Sequence, residues 1–196
     1  MQGLADGYFV IPYTLGNYLA NAELKDVTTS NDEFAAAEKD QKDKINKILD
    51  VNGDIPVDDF HRELGLLVWD KCGMSRSSDG LKEAIEKIKS IRESFWKNVY
   101  VPGPNLSYNQ NLEKALRVAD FLEFAETMCL DALTRNESCG GHFREESQTP
   151  EGEALRVDDE YQNVYAWEYT GVGNKPNLHI EELDFEFVKP SVRSYK

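Results

Sequence analysis

One stretch of the chain concentrates side chains able to move protons. Arg135-Asn136-Glu137-Ser138-Cys139-Gly140-Gly141-His142-Phe143-Arg144-Glu145-Glu146 sets a titratable histidine among two arginines and three glutamates. A histidine tuned by such neighbours can act as a general acid or base near neutral pH. The same composition serves a structural purpose. A helix that ends before two glycines leaves its last carbonyls without amide partners, and a cation such as Arg135 suits the negative end of the helix dipole. Charge clusters also perturb protonation at many sites that do no catalysis. The structural reading is therefore preferred. Arg135, Glu137, His142 and Arg144 are expected to fix a domain or subunit interface, with no catalytic residue among them.

Other chemistry is sparse. Asp50-Val51-Asn52-Gly53-Asp54 begins like a calcium loop, with Asp58 at the ninth position, but Ile55 stands where that loop needs glycine and His61 where it needs a bidentate glutamate. The sequence therefore predicts a turn between helices, with Gly53 supplying the left-handed residue that ends the first one. Cys139 and His142 have C-x-x-H spacing, but a closed zinc site needs four ligands and no second Cys/His pair lies nearby. No metal ligand is expected. There is no C-x-x-C, no G-x-S-x-G elbow, no phosphate-binding loop and no G-x-G-x-x-G; Gly171-Val172-Gly173 lacks the third glycine. No cofactor-binding residue is assigned. His61 and His179 read as surface or packing residues.

Composition narrows the function classes further. Against 22 basic residues stand 36 acidic ones, a net charge of −14 over 196 residues. Such a surface repels phosphate backbones, so neither nucleic acid nor an anionic membrane is expected as a direct partner. The 40% apolar content still suffices for a core. Apolar stretches such as Gly65 to Trp69 are far shorter than the roughly 20 residues that span a bilayer. Asp6, Pro12 and Gly16 interrupt what an export signal would need at the N-terminus. The odd set Cys72, Cys129 and Cys139 suits free thiols in a reducing compartment, which points to the cytoplasm.

Helices must position the polar cluster. Ser30-Asn31-Asp32-Glu33 reads as a capping box, followed by Phe34, Ala37, Ile45, Ile48 and Leu49 at helical spacing. Pro56 suits a first turn, and Phe60, Leu64, Leu67 and Val68 continue to Gly73. Ser77 or Ser78 can cap a third helix with the stripe Leu81, Ile85, Ile88, Ile91, Phe95 and Val99, which runs to Pro102-Gly103-Pro104. A fourth starts near Asn109 or Asn111 and runs about seven turns, burying Leu112, Ala115, Leu116, Ala119, Leu122, Ala125, Cys129, Ala132 and Leu133. Short connections between the last three predict an up-down-up arrangement. The expected fold is mainly α: an antiparallel three-helix bundle, spectrin-repeat-like, with an extra N-terminal helix and a small C-terminal β-containing tail. In that tail Gln162 to Tyr169 is rich in aromatic and β-branched residues and Leu183 to Phe187 alternates, so both are predicted as strands.

The cluster also carries a resemblance. Arg135, Glu137, Ser138, Gly140, His142 and Arg144 fit an Arg-x-Glu-Ser-x-Gly-x-His-x-Arg pattern that follows the helical domain in flavoprotein subunits of succinate dehydrogenases and fumarate reductases. Trp69 to Arg76 is similar to the family's turn between its first and second bundle helices. Asp158-Asp159-Glu160 with Val164 to Tyr169 resembles the approach to its C-terminal strands, and Lys189 to Lys196 resembles its ending. Met1 to Val10 looks like the stretch after the family's flavin-binding R-L-G-x-x-x-L segment. Position 139 departs from the pattern, with cysteine where many members have arginine. The acidic stretch Glu33 to Asp54, absent from part of the family, resembles the variety that has a diheme cytochrome b anchor.

The resemblance implies a flavin enzyme that interconverts succinate and fumarate, with FAD as cofactor and electrons passing to an iron-sulfur subunit and a membrane quinone site. The family's flavin and dicarboxylate groups lie upstream of the position matching Met1, so none transfers to a residue here. The chain is then expected to be a C-terminal region: 1–29 a remnant of the flavin-binding domain and linker, 30–136 the helical bundle, 137–196 the tail with short strands. Its expected role is structural, without activity of its own. Its implied partners are the N-terminal flavin-binding and capping domains and the iron-sulfur subunit, with the membrane reached only through an anchor subunit at its cytoplasmic face. The alternative is a free-standing acidic helical module that binds a basic protein surface.

Overall fold

The computed structural model describes residues 2–103, 107–171 and 173–191, the side chain of Gln2 excepted. Pro104 of the predicted breaker, Val172 between its two glycines, Met1 and most of the Lys189–Lys196 ending lie outside the described residues. The chain is mainly helical and divides into two units, Met1–Asp43 and Lys44–Lys196.

In the first unit, residues 2–21 are helical with α, π and 3-10 hydrogen-bond spacings in succession. Proline at position 12 has no amide to donate, which removes one rung of a regular α ladder. A segment without regular secondary structure leads to α1, Asp32–Val51, which begins in this unit and ends in the second. It starts one residue later than the capping box implies. The Ser30 hydroxyl bonds the Thr28 hydroxyl at 2.6 Å, and Asn31 Oδ1 accepts from the Thr28 amide at 3.1 Å. Of the predicted apolar face, Phe34 is 47% exposed, whereas Ile48 is buried. The pairs Glu38–Lys42 and Lys39–Asp43 give the exposed half its i,i+4 support.

The second unit is built on α2 (Val57–Lys71), α3 (Ser78–Asn98) and α4 (Gln110–Thr134). Their stripes follow the predicted spacing. Phe60 and Leu64 from α2, Leu81, Ile88, Ile91 and Phe95 from α3, and Ala115, Leu122, Ala125 and Cys129 from α4 form one buried core. Phe60 meets Phe95 edge to face at 5.4 Å, and Lys71 lies 3.5 Å from Glu83. Arg92 bonds Glu123 at 2.7 Å and also pairs with Glu126. Lys114 reaches Asp58 at 2.9 Å, and the Cys72 thiol, just after α2, meets that of Cys129. All three cysteines are free. Caps are local and follow from side-chain chemistry: Ser77 Oγ accepts from the Gly80 amide at 3.1 Å, and Asn109 Oδ1 from the amides of Asn111 and Leu112.

The α1–α2 turn departs from expectation in one respect. Asn52, not Gly53, takes the left-handed conformation, with φ 42°. Gly53 is required for close approach instead: its amide donates to Val99 O at 3.0 Å, and an added Cβ would stand 2.0 Å from Asn98 O. This contact starts a short parallel pairing of β1 (Ile55–Pro56) with β2 (Val99–Tyr100), Ile55 opposite Val99.

In the tail, the turn of helix α5, Asp158–Tyr161, precedes β3 (Asn163–Glu168), which pairs antiparallel with β4 (Asn177–Glu182). The predicted strand at Leu183 to Phe187 is absent, and β4 lies just before it. All six residues of β3 are matched by residues 177–182, so beyond Glu182 the chain has no backbone to pair with in β3. Regular alternation alone does not make a strand; a partner edge does.

Candidate functional site

The four residues singled out by sequence meet where α4 ends. Arg144 lies only 12 residues past Ala132, and the chain between them turns back so that its guanidinium faces the helix terminus. The turn is made by mutual bonds between Cys139 and His142, amide to carbonyl at 2.8 and 3.0 Å, with Gly140 at φ +60°. Arg144, 3% exposed, then donates from Nη1 to Ala132 O at 2.9 Å, Leu133 O at 3.2 Å and Arg135 O at 3.4 Å. These are carbonyls that a helix end leaves unpaired, at the negative end of its dipole. Ser138 Oγ, fully buried, accepts from the Arg144 amide at 2.8 Å and donates to Arg144 O at 3.2 Å.

Arg135 faces the other way, toward the strands. Its Nη1 donates to Glu137 Oε1 at 2.9 Å and Tyr161 O at 3.0 Å, and its Nη2 to Asn163 O and Oδ1, both at 3.0 Å. The guanidinium lies 4.4 Å from the centre of the Tyr165 ring. Glu137 is buried, and its second oxygen accepts from the Val157 amide at 3.1 Å. Trp167 Nε1 donates to Asp131 Oδ1 at 2.8 Å, which adds a second tie between β3 and α4.

His142 links the helix end to a distant turn. Arg76 Nη1 approaches His142 Nδ1 at 2.8 Å, and His142 Nε2 lies 2.8 Å from Arg135 O. Since guanidinium can only donate and a carbonyl only accept, the ring is the neutral Nε2–H tautomer. Burial, with Arg76 and Arg144 beside it, holds its pKa below the ordinary value of 6.5, against the opposing bond to Arg135 O. Arg76 itself donates from Nε to Gly73 O, and its backbone pairs with Phe143 and Glu145. Glu146 accepts from the Ser78 amide, in the first turn of α3, at 2.5 Å and from Arg144 Nε at 3.2 Å. Although burial raises its pKa, these donors leave Glu146 below the usual carboxylate range.

Several partners were invisible to sequence reasoning. Arg76, Tyr161, Asn163 and Tyr165 enter the cluster from other parts of the chain, and no spacing rule joins them to Arg135 or His142. The cluster has little to offer a reactant. Both ring nitrogens of His142 are occupied, which also removes it from any C-x-x-H metal pair with Cys139. Among the described residues no group of three or more His, Cys, Asp or Glu could hold a metal ion, and no buried side-chain nitrogen or oxygen lacks a hydrogen-bond partner. No helix among them is long and apolar enough to cross a membrane. His61 is exposed, with its ring 6.0 Å from Phe121, and His179 pairs with Glu168 at the surface.

Known proteins share this architecture. A quinol fumarate reductase chain of E. coli superposes over 88% of this chain and 28% of its own, with a TM-score of 0.66 at 19% identity. The Mycobacterium smegmatis Sdh1 structure with UQ1 does so over 86% and 26%, also with a TM-score of 0.66 and 19% identity. In sequence, the succinate dehydrogenase flavoprotein subunit of Bacillus subtilis is 25% identical over 91% of this chain and 29% of its own length. An uncharacterized FAD-dependent oxidoreductase of Methanocaldococcus jannaschii is 32% identical over 56% and 19%. The chain thus spans less than a third of the length of these relatives. The family model described as "Fumarate reductase flavoprotein C-term" matches residues 61–195, which takes in most of α2, all of α3 and α4, the arginine cluster and both tail strands, and the chain belongs to that family.

Proposed function

We propose that this chain is the C-terminal helical and tail region of a flavoprotein that interconverts succinate and fumarate, and that its own part is architectural. The observation that carries the reading is the use of Arg144 and Arg135. Two charged groups suited to gripping an anion are spent on the last carbonyls of α4 and on the backbone leading into β3. Such a cluster fixes the tail's direction as it leaves the helices, and a rigid exit suits a surface against which other domains assemble. Contact pairs support an up-down-up three-helix bundle. Positions falling along α3 meet positions rising along α2 and α4, as in Lys71 with Glu83, Phe60 with Phe95 and Arg92 with Glu123, while Asp58 with Lys114 and Cys72 with Cys129 run in step. On this reading 30–136 is the bundle, 137–196 the tail, and 1–29 belongs with a flavin-binding domain.

FAD would be the cofactor of the whole protein, but the residues described here do not fit it. The paired-glycine turn Gly140-Gly141 opens no helix whose N-terminus could receive a phosphate, and the neighbouring guanidinium groups are engaged by carbonyls and carboxylates. By the same reading the whole protein passes electrons to an iron-sulfur subunit and a quinone, reaches the membrane through an anchor subunit, and stands at the inner face of the cytoplasmic membrane. This chain alone is inactive.

The test is made in the full-length enzyme. Arg144→Ala should reduce co-purification of the iron-sulfur subunit while flavin content and turnover per assembled complex stay near the wild-type level. Normal co-purification with lost turnover per complex would overturn the architectural role.

A further inference from the structure

The tail hairpin is fastened on one side and open on the other. β3 turns Tyr165 and Trp167 toward α4, where Arg135 and Asp131 hold them. β4 has no second neighbour among the described residues. The Leu183 amide donates to Gln162 O at 2.9 Å, one step beyond the register Asn163 with Glu182, which fixes the parity of the ladder. Residues 177, 179 and 181 then face β3, and the amides of Leu178, Ile180 and Glu182 point away from it. Within β4, Ile180 is 56% exposed between the acidic Glu181–Glu182 pair and His179, and the irregular segment that continues the chain past the strand exposes Leu183, Phe185, Phe187 and Val188. Glu181, Glu182, Asp184 and Glu186 stand between them, and residues 177–188 contain no lysine or arginine.

We propose that the free edge of β4 is a docking edge, which takes up by strand addition an extended segment of a partner protein that alternates basic and apolar residues. Three features select that occupant. The outward amides and carbonyls give an incoming strand its main-chain bonds, and exposed apolar side chains give it something to cover. The carboxylates of Glu181 and Glu182 on the strand, with Asp184 and Glu186 in the segment just after it, select for lysine or arginine and disfavour a second copy of the same acidic strand. Anchoring of β3 to α4 pre-orders the hairpin, so little ordering entropy remains to be lost on binding.

The test uses the whole 196-residue chain with a synthetic peptide alternating lysine and valine, and amide exchange is followed residue by residue by NMR. The amides of Leu178, Ile180 and Glu182 should slow by about tenfold, in a salt-dependent manner, and a peptide alternating glutamate and valine should leave them unchanged. Ile180→Pro removes an outward donor without touching the bonds to β3, and should abolish the effect while His179 and Glu181 stay protected. A second variant, Glu181→Lys with Glu182→Lys, keeps the backbone and should weaken binding by roughly tenfold. The proposal is overturned if the lysine peptide leaves the three amides unchanged, if Ile180→Pro or the lysine variant binds as well as wild type, or if the amides are already protected by self-association without peptide.

Discussion

Replacing Arg144 by methionine isolates the work done by its guanidinium, because methionine keeps most of the buried stem. Arg144 is 3% exposed and donates to three carbonyls at the end of α4, two of them at 2.9 and 3.2 Å. Hydrogen bonds that involve a charged group contribute about 1.5–3 kcal/mol each, and a cation in a partly buried helix terminus adds up to about 2 kcal/mol. The third bond, at 3.4 Å, and the half-exposed Glu146 add little. Leu133 O and Arg135 O are part-buried, so water recovers some of the loss. A net destabilisation of about 3–4 kcal/mol follows, a large share of the 5–15 kcal/mol typical of a domain. With a urea slope of about 2 kcal/mol per molar, the midpoint followed by circular dichroism should fall by about 1.5–2 M. Arg144→Lys should recover only part of this, since one ammonium cannot span the set of carbonyls. A loss below about 1 kcal/mol for the methionine variant, or a lysine variant equal to wild type, would refute the capping argument.

The His142 site gives a pH signature. Its folded pKa lies below 6.5, so on acidification the unfolded chain takes up the proton first. The stability it contributes is complete above pH 6.5 and is lost as pH falls through the folded value. His142→Asn, which retains one donor and one acceptor, should flatten the decline in urea midpoint between about pH 7 and about pH 5; an unchanged slope would count against the neutral ring. Gly53→Ala forces a methyl to within 2.0 Å of Asn98 O, a backbone atom that cannot swing aside. It should cost about 2 kcal/mol or more and speed exchange of the Gly53 amide region, and an alanine variant that melts like wild type would contradict the close approach. Trp167→Phe removes the bond to Asp131 and should cost about 1 kcal/mol, with faster exchange in β3 but not in the α3 core.

What the sequence determined by itself was local. The stripe Leu81, Ile88, Ile91 and Phe95 announces its helix because residues three and four apart share a face whatever surrounds them, and Ser77 and Asn109 cap because their oxygens reach amides within three residues. The arginine cluster was visible for the same reason: Arg135, Glu137, His142 and Arg144 are near neighbours along the chain. Tertiary structure decided what those charges touch. Arg76 reaches His142 across 66 residues, and Asn163 reaches Arg135 across 28, so nothing in their spacing could pair them. It also decided that Asn177–Glu182 rather than Leu183–Phe187 forms the second strand, because in the antiparallel register the chain past Glu182 lies beyond the first residue of β3, Asn163. Gly53 had looked like a conformational necessity, and only the approach of Asn98 revealed that its lack of a side chain was the requirement. Periodicity and caps are written in bonds between near neighbours, whereas a buried polar network depends on which distant groups the packed core brings within 3 Å of one another.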